Sequence, residues 1–185
     1  EKYNILQAAM ASSERMFQLL DTPITVRDPA NAVDIGKVRG DIEFKNVWFA
    51  YNNEDWVLRD VSFTISPGEM VAFVGATGAG KTSIISLMNR FYDIQKGAIL
   101  VDGIDIRELR VSDLRKNIAT VLQDVFLFTG DIKGNIRLNY LDISDEKIRE
   151  VAHYVNADHF ISRLPHGYDE PVTERGSTLS AGQRQ

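Results

Sequence analysis

Apolar positions set out the chain before any other feature does. Ile5, Leu6, Ala9, Met16, Phe17, Leu19 and Leu20 recur near a 3.6-residue period and predict a helix over residues 4–20, which Pro23 ends. Residues 21–40 lose the period, carry Pro23, Pro29, Gly36 and Gly40, and read as a linker. Asp41-Ile42-Glu43-Phe44-Lys45 then alternates, and Val47-Trp48-Phe49-Ala50-Tyr51 is β-rich. After the turn Asn52-Asn53-Glu54-Asp55, Val57-Leu58 and Val61-Ser62-Phe63-Thr64-Ile65 predict more strand, stopped by Pro67-Gly68. Met70-Val71-Ala72-Phe73-Val74 is apolar throughout, the pattern of a strand buried on both faces. A helix is expected over residues 82–91, a hairpin over 98–106 on the turn Asp102-Gly103, a short helix over 112–116, and a second buried strand over 117–122 ending at Gln123. From Asp131 the pattern turns helical: Ser144 caps a helix reaching about His153, a second spans 156–164, and 171–179 reads as loop. The fold class is therefore α/β, with an antiparallel β portion and a helical last third.

The Gly-rich stretch between the Met70–Val74 run and the next helix carries the chemistry. It reads Gly75-Ala76-Thr77-Gly78-Ala79-Gly80-Lys81-Thr82, which is Gly-x4-Gly-Lys-Thr between a predicted strand and a predicted helix. Glycines let backbone N–H groups turn inward around phosphates, and the helix beginning near Lys81 aims its partial positive charge at the same anion. Lys81 is expected at the β and γ phosphates and Thr82 on Mg²⁺, with Ser83 beside it in the site. A chance match in a chain of this length is roughly a one-in-a-hundred event, given the ordinary frequency of glycine. The chain is thus read as binding a nucleoside triphosphate with Mg²⁺; that the nucleotide is ATP is implied only by the resemblance given below.

Composition narrows the class. Of 185 residues 44% are apolar and 25% charged, as in soluble globular domains. The net charge of −5 argues against a general nucleic-acid binder. There is no Cys, hence no disulfide and no thiolate metal site, and the 3 His have no ligand spacing. No apolar run reaches the roughly 18 residues of a membrane span, and no signal-peptide pattern opens the chain. It begins without Met inside a predicted helix and stops at Ser180-Ala181-Gly182-Gln183-Arg184-Gln185, so it reads as a piece of a longer protein.

With the loop in place, the chain resembles the nucleotide-binding domain of an ATP-binding cassette (ABC) transporter, over its whole length. Tyr51 stands 24 residues before Gly75, where the resemblance implies an aromatic stacked on adenine; Trp48 and Phe49 are competing rings. Gln123, ending the predicted strand, matches the glutamine that contacts Mg²⁺ and the attacking water. Leu179-Ser180-Ala181-Gly182-Gln183 resembles the signature Leu-Ser-Gly-Gly-Gln, with Ala181 for the first glycine. In the family this motif closes on the γ-phosphate held by a facing domain, which implies a second nucleotide-binding domain, identical or not, that reaches Ser180, Gly182 and Gln183. Thr173-Glu174-Arg175-Gly176 resembles a loop of exporters that touches the membrane domain, and Arg39-Gly40-Asp41-Ile42-Glu43-Phe44 and Arg90-Phe91-Tyr92-Asp93 are exporter-like. Residues 1–20 are then the end of the last membrane-domain helix, 21–40 a linker, 41–130 a P-loop NTPase core with its antiparallel β subdomain, and 131–185 a helical subdomain. The implied function is an exporter's ATPase, with catalytic Lys81 and Gln123, metal contacts from Thr82 and Gln123, a membrane domain as partner, no nucleic acid, and a place at the cytoplasmic face of the cell inner membrane.

The resemblance also says what is not here. After residue 165 the only carboxylates are Asp169, Glu170 and Glu174, and no buried strand precedes them, so none matches the family's Mg²⁺-supporting Asp or general-base Glu. His153, His159 and His166 all precede the signature, so none takes the family's switch role. These residues are expected to bind ATP without turning it over, and to leave apolar strand edges uncovered. Two rival readings stay open: a soluble ABC ATPase of DNA maintenance or translation, and a degenerate site that binds without hydrolysing.

Overall fold

A computed structural model of the chain describes residues 2–122, 125–138, 140–173 and 179–184. It divides into two units, Glu1–Ala119 and Thr120–Gln185. The division in packing falls after Ala119; along the chain, the change from strand to helix pattern comes at residue 130.

The first unit is built on a four-stranded antiparallel sheet in the order β2-β1-β3-β4, with β1 Ile42–Ala50, β2 Trp56–Ile65, β3 Lys96–Val101 and β4 Ile104–Asp105. The segments 41–45 and 47–51, which read as separate strands, form one strand with a bulge. Asn46 takes φ 46° and Asp60, across from it on β2, takes φ 53°. The Asn46 side-chain amide donates to Asp60 Oδ1 at 2.9 Å, and its backbone N–H donates to Ser62 Oγ at 2.8 Å. The bulge resets the alternation by one residue, so Phe44 and Val47, an odd distance apart, both face inward. Only glycine fits beside it on β3. A Cβ on Gly97 would lie 2.3 Å from the carbonyl oxygen of Lys45, and its φ is +87°.

Against the inner face of the sheet pack Ile84 and Leu87 of α2 (Lys81–Met88) and Leu114 of α3 (Val111–Lys116), with Phe44, Phe49, Leu58, Ile99 and Leu109 fully or nearly fully buried around them. Phe44 stacks on Phe63 at 4.4 Å. The β3–β4 hairpin turns on Asp102 (φ 51°) and Gly103 (φ 83°), the paired positive φ values that an Asp-Gly hairpin turn demands.

The segment 21–40 is a strap, tied to the rest of the first unit by hydrogen bonds. Val33 N–H donates to Glu108 O at 2.8 Å, Asp28 Oδ1 accepts from Val111 N–H at the start of α3 at 2.8 Å, and Asn117 Nδ2 donates to Gly36 O at 3.1 Å. Its end is held by the Asp102 carboxylate, which accepts from the N–H groups of Arg39, Gly40 and Asp41 at 2.6, 3.1 and 2.9 Å. Those bonds, Arg39's first and Asp41's next, hold the Asp102 carboxyl below the usual carboxylate range. A depressed folded-state pKa adds stability above the unfolded value of about 4 and loses it as pH falls through the folded value. Asp102→Asn is therefore expected to lower the melting temperature at pH 7, by a margin that shrinks as the pH drops below about 4. A margin unchanged with pH in scanning calorimetry would contradict this.

Two predicted strands are not strands. Residues 70–74 and 117–122 are extended or irregular and join no ladder among the described residues. Met70 and Val74 are 98% and 92% exposed, and Val121 is 77% exposed. Parallel strands buried on both faces need neighbours on each edge, and the described residues supply none. The helix α1 (Lys2–Leu20) forms as expected, but Leu6, Met10, Met16, Phe17, Leu19 and Leu20 on it are exposed.

In the second unit a small core of Ile132, Ile148, Ala152, Ile161, Tyr168 and Val172 is closed by α4 (Ile132–Arg137), α5 (Asp145–Tyr154) and α6 (Asp158–Ile161). Asp131 caps α4 by accepting from Gly134 N–H, and Ser144 caps α5 by accepting from Lys147 N–H. The Tyr168 hydroxyl donates to Asp158 Oδ1 at 2.7 Å; burial, and then that bond, pushes its pKa up to about 12. Where the sequence suggests only loop, β6 (Pro171–Val172) pairs with β5 (Gly130–Asp131). The last element is α7, Ala181–Arg184.

Candidate phosphate-loop site

The loop 75–80 rises into α2 with backbone geometry that only part of its sequence could accept. Gly78 and Gly80 take φ +85° and +84°, and a Cβ on Gly80 would stand 2.8 Å from Leu58 Cδ2. Ala79 N–H closes a turn on Ala76 O at 3.2 Å. Gly80 is the N-cap of α2 and offers no side chain to its first turn, which also carries no acidic residue. The amide groups at the helix start therefore keep both their N–H donors and their partial positive charge for an anion. Lys81 Nζ donates to the carbonyls of Gly75 and Ala76, each at 2.8 Å, so the ammonium lies back across the loop. Thr82 is exposed and Ser83 buried.

The Tyr51 side chain reaches the helix that follows this loop. Its hydroxyl is 2.9 Å from Ser83 Oγ on α2, and its ring meets Phe49 at 4.7 Å and Tyr92 at 5.0 Å, edge to face in both cases. The competing rings are committed elsewhere. Phe49 is 1% exposed in the core, while Trp48 packs edge-on against Trp56 at 5.4 Å with the Lys96 ammonium over both. Tyr51, at 46% exposed, presents an open surface beside the loop.

Ser180, Gly182 and Gln183 belong to the other unit. Ser180 Oγ accepts from Gln183 N–H at 3.3 Å while Gln183 Oε1 accepts from Ser180 N–H at 2.9 Å, a reciprocal capping box at the start of α7. A Cβ on Gly182 would meet nothing within 4 Å. Gln123, the Glu174-Arg175-Gly176 segment and Gln185 lie outside the described residues.

Two residues that sequence reasoning left without a role close the far end of α2. Arg90 N–H bonds Leu87 O and Phe91 N–H bonds Ser86 O, the paired bonds of a Schellman motif, with Arg90 in the left-handed position at φ 48°. The Arg90 guanidinium is 3% exposed as a residue and donates four ways: to Asp93 Oδ1 at 2.9 Å, Ile106 O at 3.3 Å, Leu109 O at 3.1 Å and Arg27 O at 2.9 Å. Tyr92 follows it and supplies the ring beside Tyr51. The sequence marks them only as part of the exporter-like run Arg90-Phe91-Tyr92-Asp93, without saying what either touches.

A glycine loop opening a helix, with a lysine over its mouth, defines a phosphate-loop nucleotide-binding module, and the donor set fits a triphosphate with a magnesium ion that asks for few protein ligands. The chain belongs to the ABC transporter family, whose model matches residues 58–185. It is 46% identical over 186 residues to the putative ABC transporter ATP-binding protein exp8 of Streptococcus pneumoniae, covering 100% of this chain and 31% of that protein. It is 40% identical over 182 residues to the ATP-dependent lipid A-core flippase of Syntrophus aciditrophicus, covering 98% of this chain and 30% of that one. A solved bacterial Atm1-family ABC exporter with ATP bound superposes with a TM-score of 0.87 at 38% identity, over 98% of this chain and 32% of the exporter. The chain thus spans about a third of the length of the proteins it matches. Among the described residues no helix is long and apolar enough to cross a membrane.

Proposed function

We infer that this chain is the ATP-binding portion of an ABC exporter and couples ATP binding and hydrolysis to movement of a substrate across the cell inner membrane, on its cytoplasmic face. The observation that carries this reading is the joining of cradle and ring: the loop's own helix, at Ser83, is hydrogen-bonded to Tyr51. Lys81 leaves the Gly75 and Ala76 carbonyls for the β and γ phosphates. The unbonded amides at the start of α2 would take the remaining phosphate oxygens, and the Thr82 hydroxyl would hold Mg²⁺, which would supply charge neutralisation there. Gln123 serves the metal and the attacking water. Ser180, Gly182 and Gln183 close on the γ-phosphate of a second nucleotide-binding domain, and the membrane domain of the same transporter is the other partner. The names of the relatives, an exporter and a flippase among them, support transport over DNA maintenance or translation.

The general base comes from residues other than these 185, which alone bind ATP without steady turnover. Phosphate release by the purified 185-residue protein, abolished by Lys81→Ala, would sink that part of the reading. The nucleotide site itself is tested by calorimetry on the full-length protein. Tyr51→Ala should weaken Mg·ATP by about tenfold, the value of one stacked base, and leave inorganic triphosphate unaffected. Equal losses for both ligands would move the stacking role to another residue.

A further inference from the structure

Tyr51 sits in a difficult place for a stacking platform. It follows β1 directly, at the bend into the loop 51–55, and is half-exposed. A tyrosine there that rotated freely would have to be immobilised by each arriving nucleotide, and that lost freedom would subtract from the affinity. Three contacts already hold it: the hydroxyl on Ser83 Oγ, and edge-to-face packing with Phe49 and with Tyr92.

These contacts are not equal in kind. Phe49 is a core residue whose place is set by the sheet, and Ser83 belongs to α2, the helix that follows the phosphate loop. Tyr92 has neither reason to be there. It packs on Phe49 at 5.7 Å and on Tyr51 at 5.0 Å, and it is carried by a short turn whose flanking residues are pinned. Arg90 on one side is locked into the Schellman turn and the four guanidinium bonds, and Asp93 on the other side accepts one of those bonds. The turn after α2 thus sets one aromatic ring, edge to face, against the Tyr51 ring at 5.0 Å.

We propose that Tyr92 is a positioning residue for base recognition, holding the Tyr51 ring in its stacking orientation through an edge-to-face contact. The inference rests on Tyr51 being the base platform. What matters at position 92 is then a flat ring on a fixed turn, and its hydroxyl is dispensable.

The test is calorimetric titration of the full-length protein with Mg·ATP and, in parallel, with inorganic triphosphate. Tyr92→Ala and Tyr92→Leu should each weaken ATP by about threefold to tenfold, the worth of one aromatic pair, with triphosphate affinity unchanged. Tyr92→Phe should bind as the parent protein does. In a Tyr51→Ala background, Tyr92→Leu should cost nothing more, because the platform it supports is gone. Leucine keeps the apolar bulk, so a fault in folding alone would appear as equal losses for both ligands, and that result overturns the proposal. A base-selective loss in Tyr51→Ala with none in either Tyr92 variant overturns it while leaving the stacking role of Tyr51 intact. No base-selective loss in Tyr51→Ala overturns both.

Discussion

Lys81→Ala is expected to weaken Mg·ATP binding by roughly tenfold to hundredfold, and inorganic triphosphate by the same factor. A hydrogen bond from a charged donor contributes roughly 1.5–3 kcal/mol, and each 1.4 kcal/mol is about tenfold in affinity. In the free protein the ammonium bonds the carbonyls of Gly75 and Ala76, and it exchanges those bonds for phosphate oxygens when the nucleotide binds. The loss is thus in the phosphate part of recognition, which separates it from the base-selective loss expected for Tyr51→Ala. Calorimetry with both ligands checks it, and an unchanged triphosphate affinity would refute the cradle assignment.

Arg90→Ala carries the largest expected cost in stability. The guanidinium is buried and satisfies three backbone carbonyls, from Arg27, Ile106 and Leu109, together with the Asp93 carboxylate. Removing one partner of a buried ion pair costs about 3–5 kcal/mol. Asp93 is 35% exposed and regains some water, so the expectation is about 3 kcal/mol, near the low end of that range. Lys at this position keeps the charge but cannot span four acceptors set around a planar fork, so Arg90→Lys should recover little. Hydrogen exchange on the full-length protein gives the readout. The amides of Val33 and Val111, bonded to Glu108 O and Asp28 Oδ1, should lose protection together in Arg90→Ala. Protection equal to that of the parent protein would contradict the assignment.

What could be read in the sequence was what a residue settles with its near neighbours. The left-handed turn at Gly78 and Gly80 was legible because the loop's demands on backbone angle are local. The turn at Asp102-Gly103 and the cap at Ser144 have the same character. The bulge at Asn46 was not legible, since Asn between two β-rich stretches reads as a break; its bond to Asp60 turns the break into a kink in one strand. Residues 70–74 and 117–122 show the opposite error. Apolar patterning reports that a segment prefers burial, and says nothing of whether a neighbour stands beside it. Arg90 was invisible because its acceptors are carbonyls of Arg27, Ile106 and Leu109, which every residue type possesses. Ser180 and Gln183 were read for what a second domain would find there, and they also cap their own helix.

The strap has one more consequence, in the mechanics of the chain. Its first tie to the body of the unit is the Arg27 carbonyl on Arg90, and α1 ends at Leu20. Asp21 and Thr22 bond back onto the last turn of α1, so residues 23–26 span the gap between them. At about 3.3–3.6 Å per residue that is a leash of roughly 14 Å at full stretch. The long amphipathic helix can swivel within that radius, but any larger excursion pulls directly on the buried guanidinium at the foot of the phosphate-loop helix.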